Sequence, residues 1–357
     1  MRTTEEIFEF NPQMFGPFRV YVEDESVTDI DYNGQDLWLT YKDNTRRKVL
    51  QSQHLITNLF AKQFAQRLSN LTGREFNPMH PSLEGETTQL RISVMHEAVS
   101  VSGISICIRK TPPKVRITPE YALGSGYVTP PVLTLLKNCI KAHMNIVVAG
   151  APRAGKTELC KFLSMFIPEE ERVITIEDVL EWRYKELKPK ADALQWKVRE
   201  HFSYEDAIVA ALKQNPTWLM VAETRGVEVR HLIRSFSTGV HGMTTLHAED
   251  VSRIPQRMVN MVDDSMMEQR FLNNIYDFVD VGVLISIKED ANGTRRRYVD
   301  QVGFFDHDGK NLFSLAVSEG KPIEDKELLP QIKAKFQRAS VENIWQDGGA
   351  YERTKMA

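Results

Sequence analysis

The stretch Asn145–Leu163, NIVVAGAPRAGKTELCKFL, decides how this 357-residue chain is read. An apolar strand, Asn145 to Ala149, runs straight into GAPRAGKT (Gly150–Thr157), which matches the pattern G-x-x-x-x-G-K-[ST] in full. The segment after it, ELCKFLSMF, has helical character. A phosphate-binding loop requires this order: a buried strand, a turn whose backbone N–H groups converge on phosphate oxygens, and a helix start whose dipole favours anions. Gly150 and Gly155 flank the turn, where the backbone must approach its ligand closely. Lys156 supplies a cation for the β- and γ-phosphates, and Thr157 offers a hydroxyl to Mg2+. Gly150, Ala151, Pro152, Arg153, Ala154, Gly155, Lys156, Thr157 and Glu158 therefore form the expected nucleotide cradle. Arg153 stands where such loops often carry glycine or another small residue. A left-handed backbone there costs an arginine ~1 kcal/mol or slightly more, which a loop can tolerate.

Downstream, further apolar strands end in polar groups. VITIEDVLEW places Glu177, Asp178 and Glu181 just past a strand, at the edge where open α/β sheets bind ligands. NPTWLMVAETRG is a second such strand, ending in Glu223 and then Arg225. STGVHGMTTLHAED is a third, ending in His247. Each has a plainer reading. Acids after a strand often cap the next helix, and a lone histidine is most often structural. Taken together, two carboxylate groups and an imidazole on one sheet edge can hold Mg2+, orient water and contact a γ-phosphate.

The strands NIVVAG, VITIED, WLMVAE, MTTLHA and VDVGVLISI, separated by helical segments, predict a mostly parallel sheet covered on both faces. The first third has another texture. VTDIDYNGQDLWLTY reads as two strands around an Asn33-Gly34 turn, HLITNLFAKQFAQRLSNLTG as a helix ending at Gly73, and TQLRISVMHEAVSVSGISICIRK as alternating strands. That is an α+β unit with a half-exposed sheet. Between them lies TPPKVRITPEYALGSGYVTPP, with five prolines and two glycines. The expected division is residues 1–112, a linker over 113–130, and an α/β domain over 131–357. After VDQVGFFDHDGKNLFSL, a strand pair, a helix and a fraying polar tail are expected.

Composition agrees with a soluble protein: 42% hydrophobic and 26% charged residues, with a net charge of −3. That charge argues against whole-chain attraction to nucleic acid or an anionic membrane. Cys107, Cys139 and Cys160 are the only cysteines, none in a CxxC pattern, and read as reduced core thiols. The start, MRTTEEIFEF, lacks the features of a signal peptide, and no window approaches the ~20 apolar residues of a membrane span. A cytoplasmic location is expected unless a partner holds the chain at a membrane.

The ordered set GAPRAGKT, TIEDVLE, VAETRG and STGVHGMTTLHA resembles the Walker A, Asp box, Walker B and His box of the type II/IV secretion ATPase superfamily, the traffic ATPases of conjugation, type IV secretion and type IV pili. Upstream, VTDIDYNGQDLWL, LTGREFNPMHPSLEGETTQLRISV and VSGISICIRK look like the N-terminal domain of the secretion and tight-adherence pilus branches. The resemblance runs from Val27 to Val302.

It implies a homohexamer in which each subunit has a PAS-like N-terminal domain and a RecA-like P-loop NTPase domain, with ATP and Mg2+ bound. It implies ATP hydrolysis through Glu177, Glu181, Glu223 and His247, with Thr157 and Glu223 at the metal. By position, Arg91 and Arg109 match N-terminal arginines that reach the nucleotide, although solvated arginines on a sheet face read equally well from the residues alone. The implied partners are inner-membrane and cytoplasmic components of a secretion, conjugation or pilus machine. The implied place is the inner face of the cytoplasmic membrane, without insertion. Direct nucleic-acid binding is not expected, because Arg46-Arg47-Lys48 and Arg295-Arg296-Arg297 read as solvated turns with no interleaved aromatics.

Two functions are compatible with this pattern. One is a motor that hydrolyses ATP, which the full set of Lys156, Thr157, Glu177, Glu181, Glu223 and His247 favours. The other is a docking scaffold that binds ATP with little turnover. Two departures from the family pattern stand out. Glu158 replaces a small hydroxyl residue after Thr157 and brings a negative charge toward the phosphates. Val240 occupies the place of the first His-box histidine, with His241 one residue later.

Overall fold

The computed structural model describes residues 7–8, 11–43, 45–262, 268–289, 295–323 and 327–346. The chain forms two compact units, Met1–Pro113 and Lys114–Ala357.

The first unit is a seven-stranded sheet with one long helix. Its strands are β1 (Ile7–Phe8), β2 (Val27–Tyr32), β3 (Leu37–Tyr41), β4 (Arg46–Val49), β5 (Ser82–Thr87), β6 (Leu90–Met95) and β7 (Ser105–Lys110). Their spatial order is β1-β5-β6-β7-β2-β3-β4, with only the β1–β5 pair parallel. The turn between β2 and β3 forms where Asn33-Gly34 predicts it, and the Asn33 Oδ1 accepts from the N–H groups of Gln35 and Asp36. In β6 the period of two is clean. Leu90, Ile92 and Val94 are buried while Arg91, Ser93 and Met95 are partly exposed. The inner face packs on the helix Asn58–Thr72 through Ala61, Phe64, Ala65 and Leu68. Thr57 caps that helix by accepting the N–H of Phe60, and it ends at Gly73 as expected.

The basic run Arg46-Arg47-Lys48 is not the expected turn. It forms β4, with the Arg46 guanidinium 5.4 Å from the Trp38 ring centre and that of Arg47 5.3 Å from Tyr41. The cross-strand rings supply a partner for each cation that one-dimensional charge patterning does not reveal.

The second unit is a nine-stranded sheet: β8 (Ile146–Gly150), β9 (Val173–Glu177), β10 (Ala193–Lys197), β11 (Trp218–Val221), β12 (His241–Leu246), β13 (Val281–Glu289), β14 (Arg295–His307), β15 (Asn311–Ser318) and β16 (Lys321–Pro322). The order is β10-β9-β11-β12-β8-β13-β14-β15-β16. The first six strands are parallel, and the last three continue antiparallel from β13.

Both faces of the parallel part are covered. Ile146 and Val148 point into one core with the helices Pro130–Lys141 and Lys156–Ser164. Val147 and Ala149 point into the other with the helices Tyr204–Ala211 and Glu228–Phe236. A strand wet on neither side needs no polar alternation, which is why IVVAG, β8 itself, is uniformly apolar.

The Pro/Gly-rich stretch read as a linker is largely built into this second unit. It carries the helix Pro119–Gly124, and Ile117, Ala122, Tyr127 and Val128 are buried in the core. The Tyr127 carbonyl also accepts the N–H of Val299 in β14. Apolar residues between the prolines make this possible, because prolines restrict φ without preventing burial.

Near the end of the chain the helix Pro330–Arg338 is tied down by Lys335, whose Nζ donates to both carboxylate oxygens of buried Asp280 at 2.7 and 2.6 Å. The polar tail expected after it lies outside the described residues from 347 on. Cys107, Cys139 and Cys160 are unpaired. The last two are fully buried, whereas Cys107 is only half-buried, because β7 turns it to the open face of the first sheet. No described helix is long and apolar enough to cross a membrane.

Candidate nucleotide site

Parallel pairing of β9, β11, β12 and β8 sends the C-terminal ends of four adjacent strands to one sheet edge. Glu177 ends β9, Glu223 follows β11, His247 follows β12, and Gly150 ends β8. Four sequence segments spread over a hundred residues thus converge where ligands of such sheets bind.

The loop from Gly150 to Thr157 has the backbone its sequence demands. A Cβ on Gly150 would meet the Ile285 carbonyl oxygen at 2.7 Å, so β13 leaves room only for glycine. Gly155, at φ 95°, sits in the left-handed region immediately before the helix Lys156–Ser164. Arg153 also adopts φ 64°, the left-handed conformation anticipated for it. The Glu158 charge is compensated within its own helix. Its Oε1 lies 3.1 Å from the Nζ of buried Lys161, one turn further on the same helix.

Lys156, Glu223 and His247 form one chain of contacts. The Lys156 ammonium is buried and donates to the carbonyls of Gly150 and Ala151, both at 3.2 Å. It also lies 3.1 Å from His247 Nδ1. The other ring nitrogen, Nε2, lies 3.0 Å from Glu223 Oε1. Arg225 closes the chain, donating to Glu223 Oε2 at 2.6 Å and pairing with Asp178 at 3.8 Å. Burial alone would push the Glu223 carboxyl up. The Arg225 hydrogen bond and the charges of Arg225, His247 and Lys156 outweigh it and hold Glu223 below the usual carboxylate range. Burial lowers the pKa of Lys156, against the attraction of Glu223.

Glu177 follows a strand as Glu223 does but has another environment. It is wholly buried, and its Oε2 accepts the backbone N–H groups of Glu181 and Trp182 at 2.7 and 2.9 Å. Burial pushes its pKa up to about 7, despite those two N–H bonds. Its described bonds hold the loop that carries Glu181, whose side chain is half-buried. They do not run to Lys156 or His247.

The remaining expected residues lie elsewhere. His241 begins β12 and so sits at the opposite sheet edge from His247. Its ring is 4.8 Å from that of His143 and 5.8 Å from Trp218, centre to centre. Burial, reinforced by the charges of His143 and Lys335, pushes its pKa down to about 4. Five residues of extended strand, Gly242 to Leu246, separate the two histidines, which is why only His247 reaches the loop.

In the first unit, Arg91 and Arg109 face each other directly across β6 and β7, flanked in register by Glu86 and Asp29. Arg109 Nε lies 2.8 Å from Asp29 Oδ1, and Arg91 pairs with Glu84 at 3.5 Å. Two cations side by side on neighbouring strands are unfavourable unless acids or an anion offset them.

The sequence reading missed one residue at the loop. Arg297, placed in a solvated basic turn, is half-buried on β14, and its Nη2 donates to the Arg153 carbonyl at 3.0 Å. Strand periodicity in RRRYVDQV was the only signal available: alternate positions of a strand share a face, so one arginine of three must turn inward or outward alone.

The type II/IV secretion system protein family model matches residues 77–280 of this chain. An uncharacterised Bacillus anthracis protein is 30% identical over 257 residues, covering 70% of this chain and 58% of that protein. Type IV secretion system protein PtlH of Bordetella pertussis is 31% identical over 174 residues, covering 46% of this chain and 51% of PtlH. The chain thus spans little more than half the length of these two relatives. The solved structure of the Yersinia pseudotuberculosis ATPase DotB aligns at a TM-score of 0.60 with 15% identity, covering 84% of this chain and 80% of DotB. That likeness carries the fold, a RecA-like α/β architecture.

Proposed function

We propose a function for this chain from one premise: it belongs to the type II/IV secretion system protein family. In this reading the chain is the ATP-hydrolysing motor subunit of a secretion, conjugation or pilus machine. It works as a homohexamer on the inner face of the cytoplasmic membrane, together with inner-membrane and cytoplasmic components of that machine. The observation that carries the reading is the contact chain from Lys156 through His247 to Glu223 at the mouth of the Gly150–Thr157 loop.

Each group has a task that its position suits. The loop N–H groups and the start of the helix Lys156–Ser164 receive the phosphates. Lys156 exchanges its carbonyl contacts for phosphate oxygens, to which an ammonium binds more strongly. Glu223, kept ionised by the surrounding cations, orients the attacking water, and His247 couples Glu223 to the loop. Glu177 holds the loop bearing Glu181, and Glu223 is the carboxylate tied through His247 to Lys156. Arg91 and Arg109 contact the phosphates, a role that rests on the family resemblance.

Mg2+ fits this donor set. Thr157 and Glu223 offer hard oxygens, and no described cluster of three or more His, Cys, Asp or Glu competes for a metal. The ion would rest on Thr157, phosphate oxygens and water, with Glu223 beside it, and would neutralise developing phosphate charge.

One observation favours the second reading, a nucleotide-dependent scaffold with little turnover: both oxygens of Glu223 are already engaged, by Arg225 and by His247. Steady-state phosphate release from the purified chain separates the two. The motor reading expects turnover that Lys156→Ala abolishes in a folded protein. ATP binding without release above the Lys156→Ala level selects the scaffold.

A further inference from the structure

Arg153 is the one non-glycine residue of the Gly150–Thr157 loop at positive φ, and the structure places a second arginine where it can hold that turn. Bulky residues persist in this conformation only when their surroundings over-determine it. Here the surroundings include Arg297, 144 residues away in sequence. Its Nη2 donates to the Arg153 carbonyl at 3.0 Å. Its Cδ would lie 3.6 Å from a Cβ on Gly155, so its stem rests against the second left-handed residue of the same loop.

Arg297 is rigidly based. It sits on β14, opposite Ile287 of β13, and β13 pairs with β8, the strand that feeds the loop. A methionine or leucine would fill the same space without the cost of desolvating a charge. What the guanidinium adds is a strong, directed donor to one peptide oxygen.

We propose that Arg297 is a positioning residue for nucleotide: by holding the Arg153 carbonyl, it presets the phosphate loop in its left-handed turn. The inference rests on the loop being a nucleotide site, as proposed above. It explains how an arginine can stand where a small residue is usual. Fixing the 153–154 peptide fixes the start of the run of N–H groups that receive phosphate, so the loop is not ordered anew at each binding event. The effect belongs to the phosphates that ATP and ADP share. It therefore appears in affinity for both nucleotides rather than in discrimination between them.

The test is a double-mutant cycle on ATP and ADP affinity, with KM and kcat measured alongside. Arg297→Met keeps the stem and removes the donor, and should weaken ATP and ADP by the same factor, roughly tenfold, the usual worth of a hydrogen bond to a charged group. The loss should fall on KM more than on kcat. In an Arg153→Gly background, where glycine takes the left-handed turn without strain, the same change should cost less than about threefold, because there is little left to hold. Arg297→Lys should recover part of the affinity. Should Arg297→Met fail to fold, Arg297→Leu, which also lacks a donor, carries the same comparison. Wild-type affinity in the donor-free variant, or an equal loss in both backgrounds, overturns the assignment. A wild-type chain that binds neither nucleotide overturns the functional reading as well, so the two failures are distinguishable.

Discussion

His247 stands between Lys156 and Glu223, with Nδ1 3.1 Å from the ammonium and Nε2 3.0 Å from the carboxylate. The ammonium has three protons and three acceptors within reach: the Gly150 and Ala151 carbonyls and Nδ1. Nδ1 also lies 3.1 Å from the Gly150 carbonyl, to which only an Nδ1–H could donate. The charge-assisted bonds to the Lys156 ammonium and the Glu223 carboxylate outweigh that neutral contact, so Nδ1 accepts and the ring proton lies on Nε2, donated to Glu223. Nucleotide that draws Lys156 to its phosphates withdraws the donor from Nδ1.

The first expectation follows from that geometry. Nitrogen NMR of labelled histidine should find His247 as the Nε2–H tautomer in the nucleotide-free protein. Adding ADP should move the Nδ1 resonance much more than the Nε2 resonance. A nucleotide-free ring protonated on Nδ1 would show that the ammonium does not donate to it.

Glu223→Gln is expected to keep ATP bound and slow its hydrolysis on the order of a hundredfold or more, because the amide orients water less well than a carboxylate. The amide also loses the charge that pairs with Arg225 and His247. Rapid filtration should find ATP, not ADP, on the variant. Turnover within a few-fold of wild type would move the role to Glu181.

Glu177 governs a pH-dependent part of the stability. Its folded pKa of about 7 lies above the unfolded value of 4.5. The sign follows from which form the fold prefers. The neutral acid is favoured, so its contribution is fully present below pH 4.5 and is lost as pH rises through about 7. Glu177→Gln stays neutral and should keep it. The variant should match wild type near pH 4.5 and exceed it by on the order of 2–3 kcal/mol at pH 8, a Tm gain of several degrees. Melting curves of the pair across pH 4.5–8 check this. A gain that does not grow with pH would mean the buried carboxyl titrates normally.

Much of this site was legible before folding, for local reasons. The strand–loop–helix of Asn145–Leu163 is specified by consecutive residues: apolar side chains for a two-sided core, glycines where β13 crowds the backbone, and Lys156 and Thr157 at a helix start. The hairpin at Asn33-Gly34 and the helix stop at Gly73 are local in the same sense. Strand order then gathers the polar ends, since parallel strands must present their C-termini to one edge.

Only the tertiary structure distinguished residues that look alike along the chain. Glu177 and Glu223 both follow apolar strands. One is folded inward because the next few residues turn back and offer it two N–H groups, while the other meets Arg225 and His247 at the open edge. His241 begins β12 and His247 follows its end, and the strand's extended length puts them at opposite edges of the sheet. Arg46 and Arg297 belong to similar basic runs, yet one covers Trp38 and the other grips the Gly150–Thr157 loop. The contacts that separate them join positions such as 156 and 247, or 153 and 297, far apart in the chain. A side chain's partner, burial and charge depend on which strand lies beside its own, and that is settled by packing the whole sheet.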